Sequence, residues 1–346
     1  MSKKNSSVPK LKDLILQKKT SLIYFKFRSQ LDSSIKKKSF LVAVSGGPDS
    51  LALSALSHTY LKEKKNKVFF VLVDHGIRSN SSKEALNVKN LLKKRGINLT
   101  ILKNKNKIKK NIQSQAREIR YQLLLNFCKK YKIKFIMTGH HRDDQIETFL
   151  IRLSRGSGVQ GLSSMNKVSS LNKKTQLLRP LLDEKKEDLV FLSKYYFGKI
   201  FKDPSNTNQK YLRTKIRNLI KRFEKSGIKH DRIIKSINNI ASSRDTLNLY
   251  TQKIENDCLV KTNNIITINL EKFLLENNEI QLKIFSNCVK KISKNYYPPR
   301  AKKVLNLLSR IGSTQKIKVT LGGCIINRDK KNLIISKEKL KKGHKT

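Results

Sequence analysis

The sequence predicts a twisted parallel α/β sheet with helices on both faces, followed by a smaller C-terminal α+β domain. Three observations carry this. Short apolar, β-rich runs alternate with longer helical stretches from about residue 38 to 140, the pattern of strands buried on both faces. The strands are uniformly apolar rather than alternating, which favours parallel over antiparallel pairing. The alternation thins after about residue 160, and long amphipathic stretches followed by short strand candidates take over beyond 226.

Taken in order, residues 1–36 form a basic, partly helical lead-in, 37–225 the α/β domain and 226–346 the second domain. "SFLVAV" reads as the first strand and "SLALSALSHTYLKEK" as its helix. "KVFFVLVD" is the second strand, and "SSKEALNVKNLLKKRG" a helix with a serine N-cap and a glycine stop. "INLTILK" is a third strand and "NKNKIKKN" a lysine-rich loop. A long helix, "IQSQAREIRYQLLLNFCKKY", leads to the fourth strand, "KIKFIMTGHH". In the second domain "QKIKVTL", "GCIINR" and "NLIIS" are short strands separated by turns. No internal repeat is visible.

With 346 residues, 38% of them hydrophobic, the chain can bury a full core. Its longest apolar runs are too short to span a bilayer and "MSKKNSSVPKLKD" has no signal-peptide core; a cytoplasmic location and no membrane partner are the expectation. Cys128, Cys258, Cys288 and Cys324 are scattered, so neither a disulfide framework nor a paired metal-ligand spacing is written here. The 76 basic residues against 25 acidic give a formal charge of +51. Codon bias explains lysine over arginine but not the scarcity of acids, so a polyanionic partner, nucleic acid, is the first functional inference.

The stretch "VAVSGGPDSLAL" passes from strand through a glycine turn into a helix. At the carboxyl end of a parallel strand, such a turn offers backbone N–H groups and the positive helix end to an anion. Gly46 and Gly47 permit close approach, Ser45 and Ser50 offer hydroxyls, and Asp49 can cap the helix or reach a magnesium ion held by phosphates. The lysine of a GxxxxGK[ST] loop and the GxG dinucleotide spacing are both absent. In "HHRDDQIET", a helix starting near Asp143 buries a stripe of Ile146, Phe149, Leu150 and Leu153 and sets Asp144 and Glu147 on another face. Those carboxylates suit a cation: they can receive an ammonium group, hold magnesium, or take a proton as general base. His140 and His141 lack HExxH spacing. Arg117 and Arg120 share one helix face, as do Arg213 and Arg217, and their guanidinium forks match phosphate oxygens; the sequence does not choose among them.

"SGGPDS" resembles the loop of the N-type ATP pyrophosphatases, or PP-loop proteins. "VDHGIR", "AREIRY", "GHHRDDQIETFLIRLSRGSGVQGL", "RPLL" and "DPSN" resemble, in order, the segments of one family among them, the tRNA(Ile)-lysidine synthetases. The likeness covers most of residues 40–220 and fades to "LGGCIINR" beyond 225. The resemblance implies a Rossmann-like PP-loop fold. It also implies ATP-dependent attachment of free L-lysine to carbon 2 of the wobble cytidine in a tRNA(Ile) with a CAU anticodon, through an adenylated cytidine. By it, Ser45, Gly46, Gly47, Pro48, Asp49, Ser50 and Asp74 bind ATP; Asp144 and Glu147 bind lysine; and Asp49, Asp144, Glu147, Arg117 and Arg213 are catalytic, with Mg2+ on Asp49 or Asp144. The C-terminal domain would bind tRNA. The oligomeric state stays open, a homodimer among the possibilities. A PP-loop tRNA thiolase would need paired or nucleophilic cysteines, and no CxxC is present. A non-enzymatic RNA-binding protein would leave the glycine loop and the acidic pair idle.

Overall fold

The computed structural model describes residues 12–36, 38–64, 66–104, 108, 112–201, 212–262, 264–294, 298–314 and 316–338. The chain divides into two compact units, residues 1–238 and 239–346. The "DPSN" turn and most of the "NKNKIKKN" loop lie outside the described residues.

The first unit is built on a six-stranded sheet. In chain order its strands are β1 (Phe40–Val44), β2 (Val68–Asp74), β3 (Leu99–Lys103), β4 (Phe135–Met137), β5 (Val168–Ser170) and β6 (Gln176–Leu178). The spatial order is β3-β2-β1-β4-β6-β5, parallel throughout except for the antiparallel edge strand β5. The order therefore reverses direction at β1, which pairs with β2 on one side and β4 on the other. A crevice opens at such a switch point above the carboxyl ends of the strands.

Two helices precede β1, α1 (Lys12–Leu16) and α2 (Lys18–Ser34). Among the described residues of the lead-in, α2 turns Ile23, Tyr24, Phe27 and Leu31 into the main core. Next comes α3 (Pro48–Glu63), buried continuously from Ser50 to Tyr60. That explains its lack of amphipathic pattern: enclosed on every side, it carries apolar residues and small polar ones such as Ser54 and Thr59, whose hydroxyls donate to the carbonyls of Ser50 and Ala55. The helices α4 (Ser81–Lys93) and α8 (Lys186–Phe197) share its core; α5 (Ile112–Lys130) packs in a separate core on the sheet, and α6 (Arg142–Leu153), the short α7 (Val159–Leu162) and α9 (Leu212–Lys225) complete the helices of the unit.

Two local expectations are corrected. The N-cap of α4 is Asn80, without a side-chain cap bond, because the Ser82 hydroxyl is drawn instead to Asp74 Oδ2 at 2.7 Å. On α6, Leu153 is half exposed; the buried stripe is Ile146 and Leu150, with Phe149 at its margin, closed by Ile216 and Ile220 of α9. The glycine stop after α4 holds, with Gly96 at φ +72°, a conformation L side chains rarely adopt.

The division between the units falls within α10 (His230–Cys258). The second unit continues with α11 (Leu270–Leu274), α12 (Asn278–Ser293) and α13 (Ala301–Ser313), and an antiparallel sheet in the order β7-β8-β11-β10-β9. Those strands are β7 (Leu259–Lys261), β8 (Ile265–Asn269), β9 (Ile317–Leu321), β10 (Cys324–Arg328) and β11 (Asn332–Lys337). Its core joins Phe273, Phe285, Val304, Ile326 and Ile335. Alternating burial along β10 and β11 gives one covered face and one wet face.

His58, on α3, meets the Tyr196 hydroxyl at 3.0 Å, and burial pushes its pKa from 6.5 down to about 4. The unfolded chain therefore takes up this proton at higher pH than the folded one, and stability is lost as pH falls from about 6.5 toward 4, by on the order of 1 kcal/mol per pH unit. The urea midpoint should drop between pH 7 and pH 5, and His58→Asn, which keeps a polar group near Tyr196 but cannot titrate, should shrink that drop. An unchanged drop in the variant would remove His58 from the acid response.

Candidate active site

The glycine loop sits where β1 ends at the switch point. Gly46 has φ +85°, and a Cβ built there would stand 2.5 Å from Val88 Cγ2 on α4; glycine is required twice over, by backbone conformation and by space. Gly47 is the N-cap of α3, and Pro48 occupies its first turn, where no amide hydrogen is needed. Ser50 Oγ donates to the Gly47 carbonyl at 3.0 Å and accepts from the Ser45 N–H at 3.1 Å, with Ser45 Oγ also 3.1 Å away. The serines thus hold the loop's shape. A Cβ on Gly47 would meet nothing nearer than Ser45 Oγ at 3.8 Å, so the face of the loop at Gly47 is open to an incoming anion.

The fourth strand delivers the second cluster. Immediately after β4, Gly139 lies so close to the first turn of α3 that a Cβ would come within 2.8 Å of the Asp49 carbonyl oxygen and 3.0 Å of the Ser50 nitrogen. Both are backbone atoms with little room to yield. The chain then enters α6 through His141, which caps it reciprocally. His141 Nδ1 accepts from the Asp143 N–H at 3.2 Å, and the His141 N–H donates to Asp144 Oδ2 at 3.0 Å. On its other side, His141 Nε2 stands 3.6 Å from Asp49 Oδ2 and 3.6 Å from Asp144 Oδ2.

The electrostatics follow from this crowding. Burial alone would raise the Asp144 carboxyl, but His141, His140, the His141 N–H and Arg213 outweigh it and hold it below its ordinary 3.8. Burial pushes His140 down to about 4, helped by Arg179, Arg117 and Arg213; its Nδ1 meets Thr138 Oγ1 at 2.8 Å. For His141, burial lowers the pKa, yet the Asp49 and Asp144 carboxylates outweigh it and the net shift is upward. Asp49 Oδ1 is buried and has no hydrogen-bond partner, an expensive condition for a carboxylate oxygen unless something cationic completes it.

Of the residues singled out from the sequence, Ser45, Gly46, Gly47, Pro48, Asp49, Ser50 and Asp144 thus gather at one rim, with His141 between them. Asp74 closes β2, with its oxygens accepting from the Gly76 N–H at 3.0 Å and the Ser82 hydroxyl at 2.7 Å. Arg117 is exposed and lies over the Tyr121 ring at 5.1 Å, while Arg120 donates to His75 Nε2 at 3.3 Å. Arg213 is exposed on α9. Glu147 differs most from its sequence reading: it is 2% exposed and gripped by Arg217, Nε to Oε1 at 2.5 Å and Nη2 to Oε2 at 3.4 Å. Asp144 and Glu147 are therefore not two open carboxylates side by side, and Arg217 already has an anion. His141 and Gly139 were passed over as site residues by the sequence reading. A doubled histidine just after a strand-end glycine was the available signal.

A nucleotide-binding α/β protein of the PP-loop class is what this loop at this switch point defines. The family model for the PP-loop domain (ATP_bind_3) matches residues 20–223. The tRNA(Ile)-lysidine synthase of Wolbachia pipientis wMel is 37% identical over 302 residues, covering 86% of this chain and 70% of that protein. The one from Rickettsia felis is 32% identical over 325 residues, covering 92% and 74%. Among solved structures, a tRNA thiolase, NcsA, from Methanococcus maripaludis, described with its [4Fe-4S] cluster, superposes with a TM-score of 0.54 at 20% identity, over 65% of this chain and 80% of that one. That likeness speaks for the fold alone. The chain belongs to the tRNA(Ile)-lysidine synthase family, ATP-using ligases that modify tRNA.

The two glycines separate fold from ligand space. Gly139→Ala should cost about 1–3 kcal/mol by forcing backbone against backbone, whereas Gly47→Ala should stay within about 0.5 kcal/mol of the parent. Urea denaturation of both variants checks this, and equal costs would contradict the close approach of β4 to α3.

Proposed function

We propose that this protein attaches the ε-amine of free lysine to carbon 2 of the wobble cytidine of a tRNA(Ile) with a CAU anticodon, in the cytoplasm. The observation that carries the reading is the meeting of the phosphate-type loop and the Asp144 carboxylate around one imidazole, each 3.6 Å from His141 Nε2. An ATP subsite and an amine subsite at one rim is what an adenylate-then-displace reaction requires.

In the first step the cytidine O2 attacks the α-phosphorus of ATP and pyrophosphate leaves. The open face at Gly47 and the first turn of α3 direct N–H groups toward the polyphosphate. Ser45 and Ser50 keep that face in shape, and Asp74 with Ser82 fixes the neighbouring strand end. Asp49 Oδ1, buried without a partner, fits Mg2+ together with phosphate oxygens, and the ion would neutralise polyphosphate charge. Among the described residues no group of three or more His, Cys, Asp or Glu could hold a metal ion; Asp49 would be one ligand among phosphate oxygens and waters.

In the second step the lysine ε-ammonium gives up a proton to solvent, the free amine attacks carbon 2, the C–O bond breaks, AMP departs with the oxygen, and the remaining proton of the new C–N linkage passes to solvent or the departing phosphate. Asp144, held ionised by its neighbours, suits an ammonium partner better than a proton acceptor near neutral pH. Glu147 then acts through Arg217, whose guanidinium also feels Asp144 and Asp49. Arg117 and Arg213, both exposed and both acting on His140, are the cations available for the adenylate.

A thiolase chemistry is disfavoured by the cysteines themselves. All four are buried, and burial pushes each thiol upward, the opposite of activation. The second unit supplies a basic surface for tRNA. Lys303 and Arg310 on α13 border a shallow groove of about 170 Å³ against β9, with Lys302 and Lys318 exposed nearby in sequence.

Two measurements test the reading. Labelled lysine should enter tRNA with wild-type protein and fall about 100-fold or more with Asp144→Asn, with ATP affinity retained. Incorporation at wild-type rate in that variant would remove Asp144 from the amine subsite. Lys303→Glu with Arg310→Glu should weaken tRNA binding and flatten its salt dependence by about two charges' worth of slope; unchanged affinity and slope would take this groove out of tRNA binding.

A further inference from the structure

His141 carries two contacts of different kind, and together they say more than a helix cap. Its Nδ1 accepts the Asp143 N–H, so the ring hydrogen of the neutral imidazole resides on Nε2. That hydrogen faces the gap between Asp49 Oδ2, on the helix of the phosphate-type loop, and Asp144 Oδ2, on α6. The ring is 3% exposed, and its backbone is tied to Asp144 by the 3.0 Å bond from its own N–H. Gly139, two residues earlier, fixes the height of this segment against the Asp49 carbonyl. The ring can neither swing out nor slide without breaking the cap.

We propose that His141 is a positioning residue that couples the two subsites: its single Nε2–H, shared between Asp49 and Asp144, sets the separation and aim of those carboxylates. This rests on the lysine-transfer reading for what the carboxylates bind. The physical argument is that two carboxylates within reach of one nitrogen, with 28% of the Asp49 side chain and 14% of that of Asp144 exposed, repel and would turn apart without a donor between them. A shared N–H donor reduces that repulsion, leaving Asp49 able to engage the polyphosphate side and Asp144 the amine. At 3.6 Å neither contact is a closed hydrogen bond. The imidazole is thus poised between two acceptors, and occupation of either subsite can draw one carboxylate toward it.

Two substitutions divide the ring's duties. His141→Asn places an amide oxygen where Nδ1 accepts and keeps the cap, since asparagine is a favoured N-cap, but has nothing at the Nε2 position. His141→Gln reaches the Nε2 position with an N–H donor but lacks the short cap acceptor. Thermal stability, ATP affinity, and kcat and KM for lysine are measured on the full-length chain, with pyrophosphate release followed in parallel. Expected for His141→Asn is a near-parental melting temperature and ATP affinity with kcat for lysine transfer down about 10- to 100-fold. His141→Gln should melt lower yet retain more of kcat than the Asn variant. If His141→Asn is fully active, or if activity in the two variants simply follows their stability, His141 is a helix cap and nothing more. If wild-type protein releases pyrophosphate with tRNA but transfers no lysine, the substrate reading fails instead, and the same Asn-against-Gln order is then judged on pyrophosphate release. A wild type that cleaves no ATP overturns both.

Discussion

The whole site depends on one close approach. Because residue 139 has no side chain, the exit of β4 can lie against the first turn of α3, backbone to backbone, at a distance no Cβ would permit. That contact brings a segment from the fourth strand to the loop after the first, across nearly a hundred residues of sequence. The reciprocal cap at His141, the placement of Asp144 and the pairing of Glu147 with Arg217 all lie downstream of it. The sheet order, with β1 flanked by β2 and β4, is the larger frame; Gly139 is where that frame becomes a site.

Charge is managed locally and with little slack. The rim holds Asp49, Asp144 and Glu147 against His140, His141, Arg213 and Arg217. Each buried acid except Asp49 has a close partner, and Asp49 keeps one oxygen without any. A cleft of about 360 Å³ in the first unit lies elsewhere, lined by Arg142, Gln145, Asp183, Asp231 and Lys235. It contains none of the loop residues, and Arg142 there is already paired with Asp231. A shallow rim of directed N–H groups, rather than an enclosed pocket, is what a loop that grips a polyphosphate through its backbone requires.

Much of this was legible in the sequence, and the reasons for the rest are specific. Uniformly apolar strands and the strand-glycine-helix turn identified the sheet and its loop, because both are local patterns. The short strand candidates "GCIINR" and "NLIIS", separated by turns, likewise announced the second sheet. Side-chain partnerships were less accessible. Spacing put Asp144 and Glu147 near one another on α6, but only tertiary packing of α9 shows that Arg217 takes Glu147. The serine expected to cap α4 was claimed by Asp74, at the end of the preceding strand β2; a hydrogen bond to another element outcompetes the local preference there. Leu153 fits the helical stripe by period yet faces solvent, since α9 covers only the Ile146 and Leu150 turns.

The central claim is that one rim first activates a tRNA oxygen with ATP and then presents an amine to it. The most direct measurement is a single turnover with tRNA and ATP labelled in the α-phosphate, lysine withheld. The account predicts a burst of pyrophosphate and α-phosphate label carried on tRNA, discharged as AMP when lysine is added. Pyrophosphate release that waits for lysine, with the label passing to lysine and never to tRNA, would contradict it.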